Sequence, residues 1–383
     1  MNWKKYLITI VLTAMVTVSL AMAGFMAIFG FDLKQVAGVA RLIGVMQFVE
    51  RKYVNDVDTD TIINGAISGM VGSLGDPHSL YMDVEKYEKL KSQTEGSFGG
   101  IGIVMSFQEK DKVMVSSVLE ESPAQSAGIL AGDQIMAVDG VSVTDYQPEE
   151  TAAHIRGKEG TEVVLTIHRE GAEDKDYSIT RSNILFKTAA GEMIPEHPNV
   201  GYIRIASFSE NTAKEFKENY DKLATEGMKG LIIDLRSNPG GLVTSCVDIA
   251  NMVVPKGDVV SIIDKSGKKE VYVSELEETK YPIVVLIDEN SASASEILAG
   301  ALQDTGAATL VGNKSFGKGS VQIVLPLLAG DAVKMTIAKY YTPSGRSIDG
   351  TGIEPDVKVE LNAAGGIDNQ LVKAIEIMEE KIK

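Results

Sequence analysis

Cysteine, histidine and basic residues are all scarce in this chain of 383 residues. It has one cysteine, Cys246, and four histidines. A single thiol forms no internal disulfide and cannot hold a metal ion by itself, so we expect neither a metal nor another cofactor. The formal net charge is −16, and no segment is rich in Lys and Arg. Because phosphate binding needs clustered basic residues, nucleic acid is excluded as a partner.

Charged residues are also missing from Tyr6 to Phe31, directly after two lysines. This stretch exceeds the roughly 20 residues that cross a bilayer as a helix, and flanking lysines stay on the cytoplasmic side. We therefore expect a single-pass anchor over 1–31, with the rest of the chain outside the cytoplasm. The alternative is a signal peptide cleaved after the A-x-A sequence at 21–23, although the apolar run continues beyond it.

Four patterns follow the apolar stretch. Residues 32–92 show the apolar periodicity of helices, and residues 93–184 read as short alternating strands separated by turns. From 185 to 361, apolar strands alternate with amphipathic helices, which is typical of a sheet covered on both faces. An amphipathic helix is predicted within 362–383. The expected fold class is therefore multi-domain α/β, with flanking helical segments.

Three serines stand at alternate positions, Ser291, Ser293 and Ser295, between the apolar strand 283–287 and a helix-like segment. Open α/β sheets bind ligands at such strand-to-helix junctions. The first N–H groups of a helix have no intrahelical partner, so they can stabilise an oxyanion there. A single serine at this place usually caps the helix, but a cap needs only one. One of the three is thus a candidate nucleophile.

A nucleophilic serine needs a base. Among the histidines only His197 lies near this part of the sequence, and no G-x-S-x-G motif is present, so a Ser-His-Asp triad fits poorly. Lys318, flanked by glycines just before a strand, could serve as the base if burial lowers its pKa. Gln322 could then orient the amine. The structural alternative is that Lys318 is an ordinary surface residue of a glycine-rich loop.

The same loop contains a partial match to a nucleotide-binding motif. Residues 312–318 read G-x-x-x-x-G-K, the first part of a phosphate-binding loop. Gly319 stands where Ser or Thr should hold Mg²⁺, and the stretch precedes a strand, whereas a phosphate-binding loop follows one. We therefore reject a nucleotide site.

A second glycine-rich loop, at 239–241, lies between a strand and a helix. A glycine N–H in this loop and the N–H of Ala294 could form an oxyanion hole with two donors. Losing one such donor typically costs about 2.7–4 kcal/mol in the activation barrier. A plain glycine-rich turn is the alternative for this segment.

Seven segments, taken in this order, resemble the PDZ-containing C-terminal processing peptidases, also called tail-specific proteases. They are GDPHSLYM, GGIGI, SPAQSAGILAGDQIMAVDGVSV, LRSNPGGL, SASASEI, FGKGSVQ and SGRSIDGTGIEPD. The resemblance extends from about residue 34 to the end of the chain. It implies a PDZ domain over 93–184 and an α/β serine-peptidase core over 185–361.

The resemblance also implies a Ser-Lys dyad. Ser293 would be the nucleophile, Lys318 the general base and Gln322 its supporting residue. The oxyanion hole would use Gly240 together with the N–H of Ala294. The serines on either side of Ser293 would then be structural.

In a PDZ domain, a peptide tail adds to a sheet edge and backbone N–H groups hold its carboxylate. The residues implied for this site are Gly99, Gly100, Ile101, Gly102 and Ile103, with Ile101 or Ile103 lining the pocket for the last substrate residue. Arg156 is a further candidate, either for carboxylate contact or for signalling to the protease domain. An ordinary solvated arginine is the alternative.

The sequence therefore predicts a membrane-anchored serine endopeptidase that recognises protein tails through its PDZ domain. A homodimer through the flanking helices, 34–92 and 367–381, is a further expectation, and packing of these helices onto the chain's own core is the alternative. The competing hypothesis is a catalytically inactive PDZ adaptor that only binds tails. Such a protein would be expected to have lost Ser293 or Lys318, and both are present.

Overall fold

The computed structural model describes residues 3–30, 32–109, 112–146, 148–362 and 366–383. The chain divides into two compact units, 1–81 and 82–383. The first unit is helical, and the caps of its second and third helices are acidic: Asp32 accepts from the Gln35 N–H at 2.8 Å, and Asp58 accepts from the Thr61 N–H at 3.3 Å. Its helices are α1 (Trp3–Phe29), α2 (Leu33–Lys52) and α3 (Thr59–Gly72), followed by the short strand β1 (Leu80–Met82).

The predicted membrane span falls on α1, and its last residue, Phe31, lies outside the described residues. Among the described residues, no helix combines the length and the apolar character that crossing a membrane requires.

The second unit begins with an antiparallel sheet domain. Five strands lie in the order β3-β4-β5-β7-β8, with β6 paired to β5, and a separate pair joins β2 to β9. Inward-facing residues such as Val163, Leu165 and Ile167 are buried and alternate with more exposed ones, as in a sheet with one covered face. The elements are α4 (Val84–Glu95), β2 (Ser97–Gly100), β3 (Ile103–Glu109), β4 (Lys112–Val118), α5 (Pro123–Ala127), β5 (Gln134–Val138), β6 (Val141–Ser142), α6 (Pro148–Ile155), β7 (Glu162–His168), β8 (Lys175–Thr180) and β9 (Ser182–Leu185).

The remaining chain forms the α/β core and a second sheet. In chain order its elements are β10 (Ala189–Ile194), β11 (His197–Ile205), α7 (Thr212–Thr225), β12 (Gly230–Asp234), α8 (Val243–Val253), β13 (Gly257–Asp264), β14 (Lys269–Ser274), β15 (Ile283–Ile287), α9 (Ala294–Asp304), β16 (Ala308–Gly312), β17 (Ser320–Pro326), β18 (Ala332–Tyr341), β19 (Val357–Lys358) and α10 (Asn369–Lys381).

The core sheet has the order β10-β11-β12-β15-β16-β19, and all pairs except β10 with β11 are parallel. Every residue of β12 and β15 is buried. Alternate residues face opposite layers: Ile233 packs with the cluster that includes α8 and α9, and Ile232 packs with Met378 of α10. Cover on both faces explains why these strands are apolar at successive positions.

The second sheet of this region is antiparallel and had not been predicted as a unit. Strand β13 pairs with β14 and β18, and β17 pairs with the opposite edge of β18. Lys318 immediately precedes this sheet, because β17 begins at Ser320.

Candidate active site

The serine turn connects β15 to α9, and two of its three hydroxyls have structural partners. The Ser291 hydroxyl donates to the Leu235 carbonyl at 2.8 Å, and the Ser295 hydroxyl donates to the Asn238 carbonyl at 3.0 Å. Both residues are fully buried, whereas Ser293 between them is half-buried. Ser291 and Ser295 therefore fasten the turn to the loop after β12, and Ser293 is the serine that a substrate can reach.

Ser293 has a strained backbone, with φ 55° and ψ −114°. A positive φ is unusual for a residue with a side chain and is often found at functional sites. Two sets of hydrogen bonds hold this conformation. The Ser293 N–H donates to Oε2 of Glu296 at 2.9 Å, and its carbonyl accepts from the N–H groups of Glu296 and Ile297. The strain therefore stays in place because the first turn of α9 fixes it from both sides.

Glu296 is the site residue that sequence reasoning missed. Its carboxylate is fully buried and accepts hydrogen bonds from five residues. The donors are the Ser315 hydroxyl (2.6 Å) and the Gly317 N–H (2.7 Å) to Oε1, and the N–H groups of Ser293 and Lys318 (2.9 Å each) and the Tyr340 hydroxyl (3.5 Å) to Oε2. A carboxylate removed from water is stable only when hydrogen bonds from the protein replace those it made to water. Its position, three residues after the helix cap, is that of a capping box, which is the signal that could have revealed it.

Lys318 lies in the loop between β16 and β17 and is half-buried. The glycines on either side allow close packing: Gly317 has φ +92°, and a Cβ at Gly319 would lie 2.5 Å from the backbone nitrogen of Asp349. Because the Lys318 and Ser293 N–H groups share one carboxylate oxygen, their backbones lie within two hydrogen-bond lengths of each other. The structure thus brings together the two residues of the predicted dyad.

Tyr340 of β18 closes the buried side of this arrangement. Its hydroxyl contacts the carbonyls of both Ser293 (3.2 Å) and Lys318. Burial raises the pKa of Tyr340 well above its ordinary value, and the nearby Glu296 carboxylate adds to the effect. Tyr340 therefore stays neutral at physiological pH, so its one O–H group remains able to donate to either of these carbonyls.

Cys246 lies behind the serine turn and donates from Sγ to the Ala294 carbonyl at 3.2 Å. The side chain is fully buried, and burial raises the pKa of the thiol. Since the thiolate is the reactive form of cysteine, Cys246 is a packing residue and not a second nucleophile.

Gly240 lies directly against the serine turn. It has φ +98°, and a Cβ there would lie 2.8 Å from Ser293 Cβ and 2.9 Å from the Ala294 nitrogen. The structure thus places the two predicted oxyanion-hole residues side by side. However, the Gly240 N–H donates to Oδ1 of Asn238 at 2.8 Å. Before Gly240 could donate to an oxyanion, it would have to leave this acceptor.

Asn238 is a fully buried clamp that the sequence did not reveal. Its Nδ2 donates to the Ile205 carbonyl at 2.8 Å, and its own carbonyl accepts from Ala292 N–H at 3.0 Å as well as from Ser295. Asn238 therefore connects the end of β11 to the glycine loop through its side chain, and it binds the serine turn through its backbone carbonyl.

Arg236, two residues before Asn238, joins the same loop to the C-terminal helix. Its guanidinium lies 2.6 Å from Asp234 and 2.7 Å from Asp368, the residue that caps α10. Burial by itself would raise the pKa of Asp368, but the hydrogen bonds from Arg236 and the Leu371 N–H outweigh it and hold the pKa below the ordinary 3.8. This ion-pair group ties α10 to the sheet at the edge where the site lies.

Gln322 is the second residue of the predicted base system. It is half-buried on β17, and its Nε2 donates to the hydroxyls of Ser320 (2.8 Å) and Thr336 (3.2 Å). Both amide hydrogens are thereby used, so Oε1 is the atom through which this side chain can accept from an amine.

The predicted peptide site is a small cleft between the loop that follows β2 and helix α6. Gly100, Ile101, Gly102 and Ile103 line one side, and Ile155 and Arg156 line the other. Gly99 is outside this lining: its carbonyl accepts from the Gly157 N–H at 3.0 Å. Sheet order places β3 at an edge of its sheet, the position at which a peptide strand can be added.

Arg156 is exposed to solvent, and it also makes one aromatic contact. Its guanidinium lies over the ring of Phe98, 4.7 Å from the ring centroid, at the mouth of the same cleft. A cation held on an aromatic face loses mobility, so the charge stays beside the loop predicted to hold a carboxylate.

His197, the weaker candidate for a base, is bound elsewhere. Its Nδ1 lies 2.7 Å from Oε1 of Glu379 on α10. This contact connects the histidine to the C-terminal helix and supports the preference for Lys318.

The chain is similar to known proteins over most of its length. The sequence matches peptidase family S41 over residues 199–359, a PDZ domain over 114–169 and the N-terminal domain of the activating protease CtpB over 32–86. The carboxy-terminal-processing protease of Bartonella bacilliformis is 40% identical over 334 residues, which are 84% of this chain and 75% of that protein. The chain belongs to the S41 carboxy-terminal processing proteases.

Two further relatives extend the comparison for this S41 protease. The carboxy-terminal processing protease CtpA of Bacillus subtilis is 42% identical over 316 residues, covering 82% of this chain and 67% of the relative. The solved photosystem II D1 C-terminal processing protease superposes with a TM-score of 0.50 at 28% identity, covering 86% of this chain and 94% of that structure. The predicted family and the predicted class of enzyme, a serine endopeptidase, are confirmed.

The predicted site residues of the S41 chain form two groups. Ser293, Lys318, Gly240 and Ala294 lie together at the edge of the core sheet, and Gln322 follows on β17. Five of the six residues predicted for peptide binding line the cleft beside β3, and Gly99 supports the loop from behind. The individual catalytic and binding roles stay predictions.

Proposed function

We propose that this S41 protease cleaves polypeptides with a Ser-Lys dyad. The observation that carries the proposal is the shared Glu296 oxygen, which holds the Ser293 and Lys318 backbones together. Ser293 Oγ attacks the scissile carbonyl carbon while its proton passes to the neutral Lys318 amine. The ammonium then protonates the leaving nitrogen as the C–N bond breaks. Water hydrolyses the acyl-enzyme by the same proton route in reverse.

Gln322 supports the base in this mechanism. A lysine accepts a proton only in its neutral form, and its lone pair must then point at the serine hydroxyl. A hydrogen bond from the amine to Gln322 Oε1 would fix that direction, since Nε2 is already bound to Ser320 and Thr336. The Ala294 N–H, at the start of α9, and the Gly240 N–H, after release from Asn238, would stabilise the oxyanion.

The dyad is tested with single variants of the full chain and a peptide substrate. We expect Ser293→Ala and Lys318→Ala to abolish cleavage, with melting temperature and tail binding unchanged. Ser295→Ala is the matched control: it removes one buried hydrogen bond, so it should lower stability by about 1 kcal/mol and keep activity. Cleavage by either dyad variant would reject the assignment, and an inactive wild type would favour the PDZ adaptor.

We further propose that the cleft beside β3 binds the C-terminal tail of the substrate. Its apolar lining, with Ile101, Ile103 and Ile155, suits an apolar last residue. The nearby Arg156 would attract the terminal carboxylate. The test compares a tail peptide with its C-terminal amide by calorimetric titration against Ser293→Ala. Binding that does not distinguish the free acid from the amide would argue against carboxylate recognition.

We propose membrane anchoring on the sequence alone. The stretch from Tyr6 to Phe31 carries no charge and follows two lysines, which would place the catalytic part outside the cytoplasm. Alkaline carbonate extraction and protease accessibility in intact cells test both points. Release of the chain by carbonate would reject the anchor.

We propose a homodimer from the surface of α2. Val39, Leu42, Ile43 and Phe48 are exposed on this helix, and exposed apolar surface of this kind often marks an interface. Light scattering on the purified chain, compared with a Leu42→Glu variant, decides between a dimer and a monomer.

A further inference from the structure

Strand β17 leaves a free edge beside the proposed catalytic site. Among the described residues it pairs only with β18, and it begins two residues after Lys318. An edge strand exposes unpaired N–H and C=O groups that can template another strand. This edge is therefore a continuation of the site.

Two hydrogen bonds identify which groups point outward. The Tyr340 N–H donates to the Gly319 carbonyl at 3.0 Å, and the Leu327 N–H donates to the Asp331 carbonyl at 2.8 Å. Odd-numbered residues at both ends of the strand thus face β18. Backbone groups alternate along an antiparallel strand, so the N–H and C=O groups of Ser320, Gln322 and Val324 point to the free edge.

The register between β17 and β18 shifts after Val321, but this shift does not change the alternate orientation of backbone groups along β17. Val321 pairs with Ala338, and Gln322 pairs with Thr336. The extra residue therefore lies on β18, which is the bulged strand. Successive residues of β17 keep their alternate orientation from one end to the other.

In the described part of the chain no strand pairs with this edge, and exposure rises along it from Ser320 (7%) to Val324 (37%) before the edge closes at its far end. The next outward-facing position after Val324 is Pro326, which has no N–H and cannot continue a ladder. The rest of β17, SVQIVL, carries no charge, whereas the edge strands β8, β10 and β14 each carry Lys, Asp or Glu. Charges at an edge discourage pairing, and β17 has none within its open part.

We propose that an extended segment of the substrate polypeptide adds to β17 as an extra strand, on the outward groups of Ser320, Gln322 and Val324. This inference rests on the proposed protease function. Pairing through the main chain would deliver the scissile bond to Ser293 and Lys318 with little demand on substrate side chains. The substrate class is therefore an unfolded tail that lacks proline at the paired positions.

One arm of the test changes the enzyme. Val324→Pro removes the outward N–H, whereas Val324→Ala shortens the side chain and keeps that N–H. We expect kcat/KM for a ten-residue peptide to be at least tenfold lower for Val324→Pro than for Val324→Ala, about the loss of one good hydrogen bond. Melting temperature and PDZ-tail binding are measured on both variants to show that each is folded. Equal kcat/KM values in two folded variants would overturn strand addition.

The second arm changes the substrate and needs no enzyme variant. Single N-methyl groups are placed at successive amides of the peptide, outside the scissile bond. Strand addition predicts loss of kcat/KM at every second amide, because only those N–H groups face β17. A uniform or absent effect would overturn strand addition while leaving the Ser-Lys proposal intact. Absence of cleavage by wild type would overturn the proposed function itself.

Discussion

The backbone N–H groups of Ser293 and Lys318 donate to one oxygen of Glu296, each at 2.9 Å. The two residues lie on different loops, one after β15 and one before β17, so a single buried carboxylate sets their separation. The other oxygen binds Ser315 and Gly317 of the second loop. The geometry of the proposed dyad therefore depends on a residue that does not itself take part in proton transfer.

We expect Glu296→Gln to uncouple the two loops. The amide keeps one acceptor oxygen, but its NH₂ group faces backbone N–H or hydroxyl donors where the second oxygen was. Two buried donors lose their acceptor, which should lower the free energy of unfolding by about 3 kcal/mol. We also expect kcat to fall at least 100-fold with a smaller change in KM. Urea denaturation and steady-state kinetics measure the two effects.

The variant Glu296→Asp distinguishes the effect of the negative charge at this position from the effect of the carboxylate's location. It keeps the carboxylate but shortens the side chain by one methylene, so it should also lose activity if position is what matters. Full kcat in a folded Glu296→Gln enzyme would contradict the positioning role.

Gly240→Ala offers a second test, with a close control in the same chain. At Gly240 a Cβ would collide with Ser293 Cβ, whereas at Gly227, with nearly the same φ (+94°), no atom lies within 4 Å. Both substitutions carry the strain of a positive φ, about 1–2 kcal/mol. We therefore expect both to lower the melting temperature and only Gly240→Ala to remove peptide cleavage. Equal activity of the two variants would show that the contact with Ser293 is unimportant.

The α/β core could be predicted because its signals are local. Strands β12 and β15 are short apolar runs, and the helices after them carry an apolar face. The strand-to-helix position of Ser293 followed from that pattern. The second sheet was missed as a unit because β13 pairs with β18 across a long stretch of sequence, for example Ser261 with Tyr341. Such pairing has no short-range signal.

The site residues whose role follows from their chemical type could be predicted from the sequence. The residues whose role depends on the orientation of a side chain or peptide group could not. A serine, a lysine and glycines in these loops indicated their possible roles. Glu296 looks like an acidic residue in a first helical turn, and its burial depends on loop residues about twenty positions later. The hydrogen bond between the Gly240 N–H and Asn238 depends on the direction of one peptide plane, which composition does not encode.

The Arg236–Asp368 pair predicts a pH dependence of stability. The pKa of Asp368 is lowered in the folded state, so its ionised form stabilises the fold above the unfolded pKa, and this contribution is lost as pH falls through the folded pKa. We expect Asp368→Asn to lower the melting temperature at pH 7. The difference from wild type should shrink below pH 3.8. A difference that stays constant from pH 7 to pH 3 would contradict the ion-pair explanation.

Arg156 gives a prediction about tail recognition that is separate from catalysis. If its guanidinium, held over Phe98, attracts the terminal carboxylate, Arg156→Ala should weaken binding of a free-acid tail about tenfold and leave the amidated tail unaffected. Phe98→Leu keeps an apolar wall but removes the aromatic face, so it should cause a smaller loss, in line with about 0.5–1 kcal/mol for an exposed cation–π contact. Titration of both tails into each variant, in the Ser293→Ala background, measures these losses. If Arg156→Ala weakened binding of both tails equally, Arg156 would contribute to the shape of the cleft and would not recognise the carboxylate.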